Sequence, residues 1–254
     1  MDTAWADAVW GALEVGPWAL AAGVAVSFLA GVVQGTLGFG MGLVSVPILA
    51  LVSPLLAPSP QVLLSLPLAL AMMAREWRAA DMPGALRLSV GGAVGAALGA
   101  AVLKVADRQI MDLALGSVVV VAVALMAAGL TVRRTGATLL GGGIASGFMG
   151  TLSAIGGPPL ALLYRDAAGA TLRATLAVVF GFGALVTIAG RAWAGVLGVG
   201  DLWRALVMTV GLLAGVWASK TLLTKVEGRP LRVAVLVFAG VAGVSLVVKA
   251  LVAA

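Results

Sequence analysis

The feature that most constrains this chain is a series of long hydrophobic runs separated by very few charges. Hydrophobic residues make up 62% of the 254 residues and charged residues only 10%. Because a soluble domain carries roughly 25% charged residues, most of this surface must face lipid. A membrane-spanning helix needs about 20 apolar residues, so the chain has room for at most about ten such segments.

Charges, prolines and glycines divide the chain into apolar runs that we expect to form helices. The runs are Pro17–Leu37, Leu43–Leu56, Gln61–Met73, Pro83–Leu103, Ile110–Val132, Gly136–Gly150, Leu160–Tyr164, Leu172–Val199, Leu202–Leu223 and Leu231–Val252. The sequence therefore predicts an all-α, polytopic membrane protein with about 8–10 transmembrane or re-entrant helical segments. The glycines of the fourth run, Gly91, Gly95 and Gly99, are typical of close helix packing.

The chain contains no cysteine and no histidine. Thiolate nucleophiles, disulfides, Cys metal sites, Ser-His-Asp catalysis and the commonest zinc ligand are therefore excluded. We predict no catalytic residue, no metal and no cofactor, and so no enzyme. The net charge of +6 is spread thinly between the apolar runs. This spacing is typical of membrane topology signals, and we expect a lipid bilayer rather than nucleic acid as the partner.

Several short motifs recur in the same order along the chain, which predicts an internal repeat. Gly35-Thr36-Leu37 recurs as Gly150-Thr151-Leu152, Arg75-Glu76-Trp77 as Arg191-Ala192-Trp193, and the pair Lys104 and Arg108 as Lys225 and Arg229. The offsets are 115, 116 and 121 positions. We therefore divide the transmembrane domain into a first repeat, residues 1–135, and a second repeat, residues 136–254.

The distribution of basic residues predicts the orientation of the chain. With periplasmic termini, about twice as many basic residues fall on the cytoplasmic side as outside. Counting five segments per half inverts the second repeat, as in many transporters with alternating access, whereas four per half would give parallel repeats. The choice depends on whether Gly35–Gly42 and Thr151–Pro159 are hairpin turns or breaks in one helix, and the sequence leaves this open.

These two Gly-rich interruptions are candidates for a binding site. Irregular backbone within the membrane survives only when it is buried in protein or lines a wet cavity. The freed N–H groups at a helix start suit an anion, and Gln34, Thr36, Thr151 and Ser153 add polar side chains nearby. The alternative is that the glycines only allow close helix packing.

Two arginines at repeat-related positions, Arg75 and Arg191, are further candidates. Arg191 lies between apolar stretches, where a charge is costly unless it lines a cavity or meets an anion. A guanidinium group suits oxyanions. Alternatively, both side chains extend to the membrane interface beside Trp77 and Trp193, and Glu76 neutralises Arg75.

Two segments resemble the paired signatures of the sulfite exporter TauE/SafE family of bacterial permeases. GVVQGTLGFGMGLVSVPIL, from Gly31 to Leu49, is similar to the first signature, and GFMGTLSAIGGPPLALLY, from Gly147 to Tyr164, is similar to the second. By position, Gly38, Phe39, Gly40, Gly42 and Pro47 match the first signature, and Gly150, Ile155, Gly156, Gly157 and Pro159 match the second. Pro158 stands where members often have a third glycine.

The resemblance implies a secondary transporter of the bacterial inner membrane that carries sulfite or an organosulfonate such as sulfoacetate. The expected partners are a small anionic substrate and the bilayer, with protons as a candidate coupling ion. The alternatives are a passive anion channel, an intramembrane enzyme and a structural subunit. The candidate substrate-binding residues are Gln34, Thr36, Gly38, Phe39, Gly40, Gly42, Arg75, Thr151, Ser153, Gly156, Gly157, Pro158 and Arg191.

Overall fold

The apolar runs form ten α-helices in the computed structural model, which describes residues 15–222 and 229–252, and no β-strand occurs in these two ranges. The helices are α1 Pro17–Leu37, α2 Met41–Val52, α3 Ser59–Glu76, α4 Met82–Val105, α5 Arg108–Ala127, α6 Gly136–Ser153, α7 Gly157–Leu163, α8 Gly169–Trp193, α9 Val199–Leu222 and α10 Arg229–Val252. Short 3₁₀ turns precede and follow α3, at Pro54–Leu56 and Trp77–Ala79.

Six segments of the described chain are long and apolar enough to cross a membrane. They are Pro17–Leu37, Pro54–Ala79, Met82–Val105, Gln109–Ala127, Gly169–Trp193 and Val199–Lys220. Their outward surfaces carry large apolar side chains such as Leu86, which is 67% exposed, and Trp217, which is 73% exposed. This surface suits lipid rather than water, and it confirms the predicted all-α, polytopic membrane fold.

Both Gly-rich interruptions are turns at which the chain folds back on itself. After α6 the chain returns along the same helix: a Cβ added at Gly156 would lie 2.9 Å from the Ser146 carbonyl oxygen, and one at Gly142 would lie 2.4 Å from Leu163 Cδ1. After α1 and α2 the chain likewise returns, so that a Cβ at Gly23 would lie 3.7 Å from Leu56 Cδ1. Each pair, α1–α2 and α6–α7, is therefore a hairpin.

The turn residues explain why the helices end where they do. Gly38 and Gly40 adopt positive φ angles of 82° and 110°, which end α1 and precede α2. Glycine adopts these angles without steric cost. Ala154 adopts a φ of 60° after α6. We call residues 38–40 the first break and residues 154–156 the second break.

Helices of one half of the chain pack mainly against helices of the other half. Helix α1 packs along α9, α6 packs along α4, α5 packs against α10, and α3 packs against α8. Glycines allow the close approach, and a Cβ at Gly91 or Gly95 would lie 2.2 or 2.0 Å from a carbonyl oxygen of α6. This confirms the packing interpretation of the fourth run, whereas the division at residues 135 and 136 stays a prediction.

The loops and helix ends gather at two ends of the bundle. At one end, Glu76 pairs with Arg173, and the Tyr164 hydroxyl donates a hydrogen bond of 2.7 Å to Asp81 Oδ2. We call this the Glu76 end. At the other, the Ser59 hydroxyl donates to the Val196 carbonyl oxygen at 2.9 Å. We call this the Ser59 end.

Candidate functional site

The two breaks meet inside the bundle. A Cβ added at Gly42, in the first turn of α2, would lie 2.2 Å from the carbonyl oxygen of Ala154 in the second break. A Cβ added at Gly157, at the start of α7, would lie 3.1 Å from Phe39 Cβ in the first break. Because only glycine leaves room for this contact, the glycines at both positions bring the two irregular segments together.

A cavity of about 100 Å³ lies at this meeting point. Both breaks and parts of α1, α2, α3, α4, α6, α7 and α8 line it, mostly with glycine and apolar side chains. The polar side chains on its wall are Gln34, Ser65, Ser89, Ser146, Thr187 and Arg173. A water molecule needs roughly 10–15 Å³ of such a volume, so the cavity has room for a small ligand. We call it the central cavity.

The amide of Gln34 holds the first break together. Its Nε2 donates to the Gly38 carbonyl oxygen at 3.0 Å, and its Oε1 accepts from the Met41 N–H at 3.0 Å. The amide therefore joins the end of α1 to the start of α2. The next two N–H groups of α2, those of Gly42 and Leu43, have no partner within the helix. Both residues line the central cavity, so these N–H groups are candidate donors to an anion.

The second break offers fewer backbone donors. The Ile155 N–H donates to Ser153 Oγ at 3.3 Å, and the Ser153 hydroxyl donates to the Met149 carbonyl oxygen at 2.8 Å. Pro158 and Pro159 occupy the first turn of α7 and have no N–H group. The prolines thus fix the start of α7 while removing donors that the first break retains.

Two serine hydroxyls on the cavity wall are free to bind a ligand. Ser89 of α4 and Ser146 of α6 line the central cavity, and neither side chain has a hydrogen-bond partner within residues 15–222 and 229–252. Thr187 is less available, because its hydroxyl lies 3.3 Å from that of Thr151.

Arg191 does not line the cavity and does not extend to the surface. Its side chain is only 1% exposed. Nη1 donates to the Thr151 carbonyl oxygen at 2.6 Å, and Nη2 donates to Ser59 Oγ at 2.8 Å. The guanidinium therefore binds the carbonyl end of α6, where the helix dipole places partial negative charge, and joins it to the start of α3.

Arg75 lies at the matching place on α1. Its Nη1 is 3.5 Å from the Gly35 carbonyl oxygen and 3.3 Å from Ser219 Oγ, and its Nε is 3.3 Å from Glu76 Oε1. It too contacts the end of a broken helix rather than the cavity, and Glu76 does neutralise it in part.

The structure brings together about half of the predicted site residues. Seven line the central cavity: Gln34, Gly38, Gly40, Gly42, Gly156, Gly157 and Pro158. The other six, Thr36, Phe39, Arg75, Thr151, Ser153 and Arg191, lie beside it but are not part of its wall. Of these, the Thr36 hydroxyl donates to the Val32 carbonyl oxygen of its own helix at 2.8 Å.

Arg173 is the one charged side chain among the cavity-lining residues of the described chain. Arg173, Ser89 and Ser146 were not among the site residues predicted from the sequence. The residue stands close to the start of an apolar run, next to Leu172, where an arginine looks like an ordinary loop charge. Only the position of α8, which begins at Gly169, places Arg173 one turn inside the helix.

Asp81 is a second charged group at the Glu76 end, in the loop before α4. The hydrogen bond from Tyr164 lowers the pKa of the Asp81 carboxyl below its usual range, and a further bond from the Gly84 N–H acts in the same direction. Partial burial opposes this decrease. The ionised carboxylate thus links the end of the α6–α7 hairpin to the start of α4.

Comparison with known proteins assigns the chain to a family. The model of the family described as Sulfite exporter TauE/SafE matches residues 23–246, which include both breaks and every residue that lines the central cavity. No curated protein and no solved structure matches the chain. The family match confirms the resemblance of the two Gly-rich signatures. The chain belongs to the sulfite exporter TauE/SafE family and is a multi-pass membrane protein of the transporter type.

Proposed function

We propose that the protein is a secondary transporter that moves a sulfur-containing oxyanion, either sulfite or an organosulfonate such as sulfoacetate, across the inner membrane. The observation that carries this proposal is the central cavity, where two broken helices meet and backbone donors lack partners. Family membership supplies the class of substrate. Protons are the candidate coupling ion.

The first break supplies most of the proposed anion contacts. The N–H groups of Gly42 and Leu43 point along the start of α2, where the helix dipole favours negative charge. The hydroxyls of Ser89 and Ser146 provide further donors on the cavity wall. The glycines and Pro158 shape the cavity, while Arg75 and Arg191 keep the two broken helices in position.

Alternating access would follow from inverted repeats around this cavity. Each hairpin returns to the end of the bundle from which it started, and three helices follow it before the pattern restarts. Three crossings bring the chain to the opposite end, so the second hairpin would enter from the other side of the membrane. With the basic Glu76 end in the cytoplasm, both termini would be periplasmic.

A thermal-shift screen of the purified protein tests the substrate class. Sulfite or a sulfonate should raise the Tm, because a ligand that binds only the folded state stabilises it by about 2.7 kcal/mol at 100 times its Kd. Simple carboxylates serve as comparison anions, while sulfate and the zwitterionic sulfonate taurine test how selective the site is among sulfur oxyanions. If none of the sulfur oxyanions changes the Tm, the proposal is wrong.

Transport in proteoliposomes separates a transporter from a passive channel. Sulfite flux that responds to an imposed proton gradient and saturates with concentration supports coupled alternating access. Fast flux that ignores the gradient would instead favour the channel. The double variant Ser89→Ala/Ser146→Ala should lower the apparent affinity in either case, since both hydroxyls face the cavity.

A further inference from the structure

Arg173 belongs to the central cavity through its stem rather than its charge. A Cβ added at Gly38 would lie 2.7 Å from Arg173 Cγ and 3.0 Å from its Cα, so the stem packs directly on the first break. The guanidinium continues past the cavity toward the Glu76 end. A Cβ added at Gly169, an exposed residue there, would lie 3.2 Å from Arg173 Nη1.

Glu76 holds the guanidinium in this position. Arg173 Nε donates to Glu76 Oε2 at 2.8 Å, and Nη2 donates to Oε1 at 2.9 Å. This is the paired geometry in which an arginine binds a carboxylate most tightly. Nη1 has no hydrogen-bond partner in the part of the chain that the structure describes.

Glu76 would not be left unpaired if Arg173 moved away. Its Oε1 also lies 3.3 Å from Arg75 Nε, so one carboxylate is shared between two arginines. If an anion binds Arg173, Glu76 therefore keeps Arg75 as its cationic partner. This arrangement lowers the cost of exchange, because a buried carboxylate without a partner is expensive.

This pair joins the two halves of the chain and has no counterpart related to it by the predicted repeat. The position that corresponds to Glu76 in the second half is Ala192, and no carboxylate forms an ion pair with Arg191 among the described residues. The pair is therefore not needed to build the shared scaffold. It joins α3 to α8 at the Glu76 end, next to the first break.

We propose that Arg173 is an anion-binding side chain of the central cavity and that Glu76 competes with the substrate for it. Without substrate, the carboxylate draws the charge away from the cavity and closes α3 against α8. An oxyanion at the N–H groups of Gly42 and Leu43 attracts the guanidinium, and the contact between α3 and α8 opens. This inference rests on the proposed function and adds to it a residue that ties anion occupancy to one end of the bundle.

Sulfite affinity of paired variants tests this inference. Glu76→Gln and Arg173→Gln both break this ion pair, so both should lower the Tm without ligand, and Glu76→Gln should lower it more because it also removes the carboxylate beside Arg75. Their effects on sulfite binding should be opposite: about tenfold tighter for Glu76→Gln and about tenfold weaker for Arg173→Gln. The double variant should bind as weakly as Arg173→Gln, because Glu76 has nothing left to compete for.

Two variants at the same end control for general electrostatics. Asp166→Asn removes an exposed acid and Arg78→Gln an exposed base, and each should leave the Kd for sulfite within about twofold, since exposed charges are screened. Arg173→Lys keeps the positive charge but loses the paired N–H donors of the guanidinium. It should keep part of the affinity for sulfite, and it serves as the test variant if Arg173→Gln folds poorly.

The possible outcomes distinguish this inference from the proposed function. If wild-type protein binds sulfite but Glu76→Gln and Arg173→Gln change the Kd in the same direction or not at all, the pair is only structural and this inference is wrong. If wild-type protein binds no sulfur oxyanion, the proposed function fails and the inference fails with it.

Discussion

The first break and the second break are each three residues long, yet different groups stabilise them. The first uses two glycines with positive φ and the amide of Gln34, and it leaves the N–H groups of Gly42 and Leu43 for a ligand. The second uses Ala154 and a pair of prolines, which remove two N–H groups from the first turn of α7. Equivalent positions in the two halves are therefore built differently, and the start of α2 keeps more backbone donors than the start of α7.

The two arginines that bind the ends of the broken helices also differ, in their exposure and in the length of their hydrogen bonds. Arg191 is 1% exposed and binds the end of α6 through a short hydrogen bond. The Arg75 side chain is 16% exposed, its hydrogen bonds are longer, and it forms an ion pair with Glu76. The end of α6 is thus bound more tightly than the end of α1, which lies next to the partly exposed ion pair of Arg75 and Glu76.

The largest expected effect comes from removing the two arginines one at a time. Arg191→Ala removes the donor to the carbonyl groups at the end of α6 and one donor to the Ser59 hydroxyl, and should destabilise the protein by about 3 kcal/mol. Arg75→Ala should cost about 1 kcal/mol or less, as is usual for a partly exposed ion pair. Thermal denaturation in detergent measures both. Equal decreases in Tm would contradict the difference between the two breaks.

An alanine in the first break tests whether the left-handed glycine is required there. Gly38→Ala should destabilise the protein by about 2 kcal/mol, because its φ of 82° disfavours a side chain and the new Cβ would meet Arg173 Cγ. Gly141→Ala, on α6 with nothing within 4 Å, is the matched control and should be neutral or slightly stabilising. If Gly38→Ala matches this control, the first break tolerates alanine as the second does at Ala154.

Lowering the pH should destabilise the second hairpin through Asp81, and we expect this effect on stability to be the smallest of the three predicted effects. Because folding lowers the pKa of Asp81, the bond with Tyr164 contributes stability above the unfolded pKa, roughly 4, and loses it as the pH falls further. Between about pH 6 and pH 3, an interval that includes the unfolded pKa of the carboxyl group, the Tm of the wild-type protein should therefore fall more than the Tm of Asp81→Asn. Parallel curves would show that this contact adds nothing to the hairpin.

The sequence predicts the helices of this protein better than the contacts of its side chains. The bounds of α1, Pro17–Leu37, agree with the first apolar run, because a proline begins the helix and a left-handed glycine ends it. The run Leu172–Val199 is less accurate: α8 ends at Trp193, and Gly195 turns the chain with a φ of 77°. Apolar composition alone does not indicate this turn.

The candidate site shows a similar division. Both breaks were predicted, since glycine and proline act locally on the backbone. The contacts of Arg191 and Arg173 were not, because each depends on a residue from another helix: Ser59 for Arg191, and Glu76 for Arg173. A single sequence contains no information on such pairs beyond the order of the helices.

The wall of the central cavity has a practical consequence for identifying the substrate. Apart from Arg173, no lining residue among those described carries an acidic or basic side chain. Any change of binding with pH near neutrality should therefore report the ligand's own protonation rather than that of the wall. Hydrogensulfite loses its proton in this range and an organosulfonate does not, so a binding titration against pH can tell the two substrates apart.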